Sequence, residues 1–245
     1  MPREFPPLIK RTLRPGENSG SIETPDSVRA LFASVARRYD LANHLLSGGL
    51  DFLWRRRAAA VLRPWTPRAI LDLATGSGDL ALTLRGHFPG ARIVGADFCY
   101  PMLSRARAKG LAELVTADAL RLPFADETFD AVTVAFGLRN MNSWPLALRE
   151  MRRVLKSAGH ILILDFSIPP FPWRGPYRLY LHRFLPRLAG LLTGERTAYQ
   201  YLADSIERFP SGGAMARLIE ENGFEAATCE PLTTGIVSLY TGRRK

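Results

Sequence analysis

The sequence predicts an α/β fold built on a doubly wound, mostly parallel sheet, and three observations carry that prediction. First, short runs such as Ala69-Ile70-Leu71-Asp72-Leu73, Ala131-Val132-Thr133-Val134-Ala135 and Ile161-Leu162-Ile163-Leu164 are apolar almost throughout and alternate with helical stretches. Strands of that kind are buried on both faces, which requires helices above and below a parallel sheet. Second, the first run leads straight into the turn Ala74-Thr75-Gly76-Ser77-Gly78, and the next one ends in Asp97. Ligands of doubly wound sheets sit beyond the carboxyl ends of the strands, where these residues fall. Third, 245 residues, 47% hydrophobic and 23% charged, suit one α/β domain of ordinary globular composition.

Each element follows from its local signals. Residues 1–25 are rich in Pro, Gly, Ser and charge without a period, and read as a flexible tail. Residues 26–66 read as a helical cap. Its first helix starts after Pro25, with Asp26 or Ser27 near the N-cap and Val28, Leu31, Phe32 and Val35 as its apolar face. Its second runs from about Asp51 to Leu62 and stops before Pro64. Ala69–Leu73 is a strand, Leu80–Phe88 a helix ended by Pro89-Gly90, and Ala91–Ala96 a strand. Pro101–Lys109 is a helix with proline in its first turn, and Leu114–Thr116 is strand-like. After the strand Ala131–Ala135 comes a helix over Pro145–Leu155, with Lys156 in its last turn and Gly159 soon after, then the strand Ile161–Leu164. Residues 168–212 break the rhythm with Pro169, Pro170, Pro172, Pro176 and Pro186, and read as a lid insertion holding one or two helices. A helix over Gly213–Asn222 and strands over Phe224–Cys229 and Ile236–Tyr240 complete a single domain, 26–245.

Lys and Arg number 33 against 23 Asp and Glu, a formal charge of +10. That excess suits plain solubility, a nucleic acid or an anionic membrane surface, and charge alone does not choose among them. No run approaches the roughly 18–20 apolar residues of a membrane span. Met1–Lys10 lacks the apolar core of a secretory signal. Cys99 and Cys229 fit neither a zinc pattern nor a disulfide framework, and His44, His87, His160 and His182 are scattered. No metal is expected, and a reducing cytoplasm is the default.

The chemistry concentrates around the glycine turn. Gly76 and Gly78 let a ligand approach the backbone, although a tight turn alone would also use them. Asp97, with Phe98 beside it, ends the next strand, where a carboxylate accepts both hydroxyls of a ribose. Asp118-Ala119 follows the third strand, where the carboxylate either holds an adenine amino group or caps a turn. A dinucleotide fingerprint needs a third glycine, and this chain has Ala81 there. Asp72 and Asp79 flank the loop, and their charge disfavours a pyrophosphate. A ligand with a ribose and a positive end fits better, and S-adenosyl-L-methionine has both.

At this point the sequence resembles the ubiquinone/menaquinone biosynthesis C-methyltransferase family of class I S-adenosylmethionine-dependent methyltransferases. The resemblance rests on Tyr39-Asp40-Leu41-Ala42-Asn43 through Trp54-Arg55, on Ala135-Phe136-Gly137-Leu138-Arg139-Asn140, on Asp165-Phe166-Ser167, on Tyr201–Ile206 with Phe209-Pro210, and on Leu232-Thr233 with Gly235-Ile236-Val237. It covers roughly residues 31–243. It implies a Rossmann-like, seven-stranded sheet with a reversed hairpin at its C-terminal edge. It also implies methyl transfer to a ring carbon of a membrane-borne polyprenyl quinol: demethylmenaquinol, a 2-polyprenyl-6-methoxy-1,4-benzoquinol, or both. The family's cofactor positions carry over to Ser77, Asp97, Asp118, Ala119 and Ala135; Asp72, Gly76, Gly78 and Phe98, read from the loop and strand end themselves, complete the expected cofactor set. Other members often have a hydroxyl at Ala135, and Thr75 stands where a glycine is common, so Thr75 needs a negative φ.

An aromatic carbon becomes nucleophilic when a neighbouring hydroxyl loses its proton, so the site needs proximity and one assisted deprotonation. Arg139 and Asn140 are expected to hold the quinol oxygen or an activating water, with Asp97 or water completing the proton transfer. Tyr39 is expected to close the pocket from the cap. A salt bridge is the competing role for Arg139, and core packing for Tyr39. Asp165 either lines the acceptor pocket or caps its strand. The lid interleaves Trp173, Arg174, Tyr177, Arg178, Tyr180, Arg183, Phe184 and Arg187, which suits peripheral contact with an anionic membrane on its cytoplasmic face, or an ordinary packed helix. A second copy of the chain is a further expected partner; nucleic acid is not expected. RNA or a small molecule is the alternative acceptor, but the Asn/Asp-Pro-Pro-Tyr/Phe loop of amino-group modifiers is absent.

Overall fold

The computed structural model describes residues 47–187 and 196–245. The expected tail, the first cap helix and Tyr39 lie outside the described residues. Among them, helix α1 (Leu50–Leu62) precedes the alternating part of the chain. That part runs β1 (Ala69–Leu73), α2 (Asp79–His87), β2 (Arg92–Asp97), α3 (Tyr100–Ala108), β3 (Leu114–Thr116), β4 (Phe129–Ala135), α4 (Trp144–Val154) and β5 (Leu155–Phe166). After it come α5 (Arg174–Leu179), which continues through a π-helical turn over Tyr180–Phe184, then α6 (Arg196–Arg208) and α7 (Gly213–Glu221). The strands β6 (Phe224–Leu232) and β7 (Val237–Arg244) finish the sheet.

Seven strands form one sheet in the order β3-β2-β1-β4-β5-β7-β6. Strands β1 to β5 pair in parallel, and β7 runs antiparallel to both β5 and β6. This is the doubly wound sheet with a reversed C-terminal edge. Side-chain alternation divides its core into two layers. Leu71, Leu73, Val132, Val134, Ile161 and Ile163 face one side, with Ala147, Leu148 and Met151 of α4 and Met215 and Ile219 of α7. Ile70, Ala131, Leu162 and Leu164 face the other, with Trp54, Ala58 and Leu62 of α1 and Leu80 and Leu84 of α2. The strands are apolar throughout because both layers draw on them.

The same alternation turns Asp72 toward the α1/α2 layer, where its register partner on β4 is Thr133. Trp54 of α1 donates its indole N–H to Thr233 Oγ1 at 2.8 Å, which pins α1 to the β6–β7 turn. The expected end of the helix before β5 is wrong. Lys156 does not close the helix; β5 starts at Leu155, which pairs with Phe129. The pairing then shifts so that His160 faces Ala131, and the exposed residues Lys156–Ala158 bow out between. Lys156 is held at this bow by Asp130 (Nζ to Oδ1, 2.7 Å).

Candidate active site

The carboxyl ends of β1, β2 and β4 meet where the sheet winding reverses, the usual place for a ligand in this architecture. Three loops build the site there. The turn after β1 bends through Ala74, at φ 51, and through Gly76 and Gly78, at φ 56 and 87. Thr75 keeps a negative φ, as it must, and the strain of a non-glycine residue falls on Ala74 instead. Only Gly76 leaves its surface open to a ligand; a Cβ there would meet nothing nearer than Met102 Cε at 3.5 Å. A Cβ on Gly78 would collide with the Leu111 side chain and lie 3.1 Å from Ala106 Cβ, so Gly78 serves packing against α3.

Two buried carboxylates flank the turn. Asp72 accepts from Thr75 Oγ1 at 2.6 Å and from Thr133 Oγ1 at 2.8 Å. Burial pushes its carboxyl up to about 6 against the pull of those hydroxyls, of Arg55 and of the Ala81 N–H. Asp97 accepts from the Gly76 N–H (Oδ2, 2.8 Å) and the Cys99 N–H (Oδ1, 2.8 Å). Burial raises its carboxyl too, while the Cys99, Gly76 and Phe98 N–H groups oppose the rise. Asp79 is matched by cations: Lys109 Nζ lies 2.7 Å from Oδ1 and Arg55 Nη2 3.6 Å from Oδ2. Its charge is therefore largely compensated, and the loop's negative character comes from Asp72 and Asp97. Asp118 is exposed and accepts from the Leu120 N–H at 2.9 Å, a turn cap that leaves its other oxygen uncommitted among the described residues. Ala119 and Ala135 are half-buried beside these strand ends. Thr133 does not supply the hydroxyl missing at Ala135, because Asp72 takes it.

The loop after β4 carries Arg139 and Asn140, the residues expected on the acceptor side. Phe136 sits at φ 58, a strained value for an aromatic residue, and its carbonyl turns toward Arg139 and Asn140. Arg139 Nη1 donates to that carbonyl and to Asp165 Oδ1 at 2.8 Å, and the Arg139 N–H donates to Asp165 Oδ2 at 3.2 Å. Asn140 Nδ2 reaches the Phe136 carbonyl at 3.4 Å. Asp165, at the end of β5, is wholly buried, which raises its carboxyl against the opposing pull of Arg139. Arg139 Nε and Asn140 Oδ1 are buried without a hydrogen-bond partner among the described residues. The guanidinium lies 5.3 Å from the Phe166 ring, which packs against Phe136 at 4.9 Å and Trp54 at 6.3 Å. Tyr177 and Tyr201 feel the Arg139 charge, yet burial keeps both phenols protonated well above neutral pH.

Sequence reasoning offered Asp97 as a proton acceptor. The strand that ends in Asp97, β2, lies two strand spacings, roughly 10 Å, from β4, which leads into the Arg139 loop. The carboxylate touching Arg139 is Asp165. Arg55 and Thr133 were missed as site residues; the paired register of Asp72 and Thr133 exists only once β1 meets β4.

The family model of the ubiE/COQ5 methyltransferase family matches residues 20–244. The chain belongs to that family. A demethylmenaquinone methyltransferase of Thermus thermophilus is 47% identical over 220 residues, 87% of this chain and all of that relative. A ubiquinone/menaquinone biosynthesis C-methyltransferase of Syntrophotalea carbinolica is 41% identical over 242 residues, 96% of this chain and 98% of that relative. Among solved structures, a SAM-dependent methyltransferase of Thermotoga maritima superposes with a TM-score of 0.66 at 20% identity, over 88% of this chain and 99% of that one. The protein is a methyltransferase that uses S-adenosylmethionine, and the donor set fits that cofactor. Asp97 keeps acceptor capacity for hydroxyls beyond its backbone N–H partners, Gly76 leaves open surface, and Asp72 puts negative charge beneath the loop. Among the described residues, no group of three or more His, Cys, Asp or Glu could hold a metal.

Proposed function

We propose that this enzyme methylates a ring carbon of a polyprenyl quinol, demethylmenaquinol first among the candidates, as the names of its relatives suggest. When bound, S-adenosylmethionine supplies an electrophilic methyl group. The cofactor is held by Asp97, Asp118 and the Gly76–Ser77 backbone, with Asp72 beneath its positive end. The observation that carries the acceptor side is the buried Arg139–Asp165 pair set against Phe136, Phe166 and Trp54. These rings give an apolar bed for an aromatic substrate. The Arg139 guanidinium stabilises the oxyanion of the quinol hydroxyl, whose proton passes to water. Charge then develops on the adjacent ring carbon, which takes the methyl group as its bond to sulfur breaks and the neutral thioether is left; that carbon then loses its own proton, the ring regains aromaticity, and the oxygen takes a proton back from water. Asp165 holds the guanidinium in place and Asn140 shares the Phe136 carbonyl with it.

We also place the enzyme at the surface of a membrane holding the quinol. Among the described residues no helix is long and apolar enough to cross a membrane. Support for surface contact comes from residues 171–187, with four arginines, one histidine and no carboxylate. Phe171 is 91% exposed, and Trp173, Leu179 and Phe184 are about half exposed or more. The test is quinone mass spectrometry on a strain lacking the gene. Accumulated demethylmenaquinone supports the reading, an accumulated demethylated benzoquinone moves the substrate, and unchanged quinones overturn it.

A further inference from the structure

Among the described residues, Arg55 is a buried cation on a helix that the methyl-transfer chemistry above does not use. It lies on α1, is nearly buried, and turns toward the glycine loop. Its Nη1 pairs with Asp51 one turn earlier, which fixes the side chain on the helix surface. Its Nη2 stands 3.6 Å from Asp79 Oδ2, longer than a hydrogen bond. The guanidinium lies 5.8 Å from the centre of the Phe136 ring, and its charge is felt by Asp72. It therefore sits between the loops that follow β1 and β4, on the side of the glycine turn away from Asp97.

Charge accounting at this spot points to a ligand group. Asp79 already has a close partner in Lys109 at 2.7 Å, and Lys109 also reaches Ser77 Oγ at 3.1 Å. Among the described residues, Asp51 pairs with Arg55 and Asp79 with Lys109. A zwitterion added here finds the negative charge of buried Asp72 on its ammonium side and, for its carboxylate, Arg55 Nη2, which makes no hydrogen bond among the described residues. Strand order gives the same direction. Asp118 follows β3, Asp97 ends β2, the glycine turn follows β1 and Phe136 follows β4, which is the spatial order of the sheet edge. An adenosine end at Asp118 and Asp97 leaves the amino-acid end beside Arg55.

We propose that Arg55 is the anchor for the carboxylate of the cofactor's amino-acid moiety. This inference rests on S-adenosylmethionine as cofactor and is independent of which acceptor is methylated. Arginine suits the task because its fork donates to both oxygens of a carboxylate. Lysine, a point charge, retains part of the attraction and loses the fork.

The test is binding, read by calorimetry on purified Arg55→Met and Arg55→Lys proteins. Two probes are compared: S-adenosylhomocysteine, and its decarboxylated analogue, which lacks only the carboxylate. Arg55→Met is expected to weaken S-adenosylhomocysteine binding about 10- to 100-fold and leave the decarboxylated analogue within a factor of about two, the worth of charge-assisted hydrogen bonds. Arg55→Lys is expected to fall between. Binding of the decarboxylated analogue at wild-type strength also reports that the loop is folded. Equal losses for both probes would mean that Arg55 only braces α1 against the loop, and no loss for either would remove it from the site; both overturn the proposal.

Discussion

Asp165 grips Arg139 at two points, accepting from its guanidinium Nη1 at 2.8 Å and from its own backbone N–H at 3.2 Å. Both oxygens are used, so the side chain and its loop are oriented by one wholly buried carboxylate. The pair thus answers both competing readings of Arg139. It is a salt bridge, and under the proposed function the same contact orients the cation for the acceptor.

Arg139→Ala is expected to lower kcat roughly 100- to 1000-fold, the usual loss when a preorganised oxyanion partner is removed. Cofactor affinity should stay near wild type, because the cofactor loops do not rest on this side chain. Steady-state kinetics with a soluble short-chain quinol, beside S-adenosylhomocysteine titration, check both halves. Undiminished turnover would remove Arg139 from the mechanism.

Asp165→Ala leaves a buried guanidinium unpaired and should destabilise the protein by about 3–5 kcal/mol, the cost of breaking a buried pair from one side. Double substitution with Arg139→Met should recover part of that loss, since the stranded charge disappears. Urea unfolding of both variants measures it. A double variant no more stable than Asp165→Ala would show that the pair's charge is not the source of the effect.

The Asp72 carboxyl is raised to about 6 by burial, above its unfolded value near 4. Between those values the native state binds more protons than the unfolded one, so this group's contribution falls as pH rises from about 4 to about 6. Asp72→Asn keeps a group that can hydrogen-bond Thr75 and Thr133 and has no charge to desolvate. The variant is expected to be more stable than wild type at pH 7.5 by roughly 1–3 kcal/mol, with the gap closing below pH 4. It should also bind cofactor more weakly. Urea unfolding at pH 4.5 and 7.5 provides the comparison; a gap that does not change with pH contradicts the assignment.

Gly137 couples the two halves of the site. A Cβ built there would lie 2.5 Å from the Ala74 Cβ, where Ala74 already holds a positive φ. Gly137→Ala should therefore disturb the cofactor turn as well as the Arg139 loop, at about 1–3 kcal/mol of stability. Thermal unfolding and S-adenosylhomocysteine titration should both shift, although Gly137 follows β4 and the cofactor turn follows β1.

Replacing Phe171, Trp173, Leu179 and Phe184 together by serine should weaken vesicle binding at least about tenfold while sparing turnover of a soluble quinol. Omitting anionic lipid should weaken the wild-type protein as well, since each interfacial arginine contributes about 1 kcal/mol. The helix geometry motivates the choice. The π-helical turn keeps Leu181 and Leu185 on the buried side with Tyr177, and leaves Leu179, Arg183, Phe184 and Arg187 outside. Co-sedimentation unaffected by both changes would count against membrane contact.

Much of this protein was legible in its residues. Continuous apolar runs such as Ile161–Leu164 determine a sheet covered on both faces, because no one-sided strand needs every side chain buried. Gly76, Asp97 and the Phe136–Asn140 stretch mark the family and its cofactor, because a ribose and a close backbone approach demand those residue types at strand ends. Spacing along the chain could not tell which carboxylate meets which cation. Arg139 and Asp165 are 26 residues apart, and they meet only because β4 and β5 pair in parallel. Asp72 finds Thr133 through the β1–β4 register, and Arg55 finds Asp79 only after α1 packs beside α2. Local sequence fixes periodicity and backbone tolerance, whereas ion-pair partners depend on which strand ends become neighbours, and sheet order alone decides that.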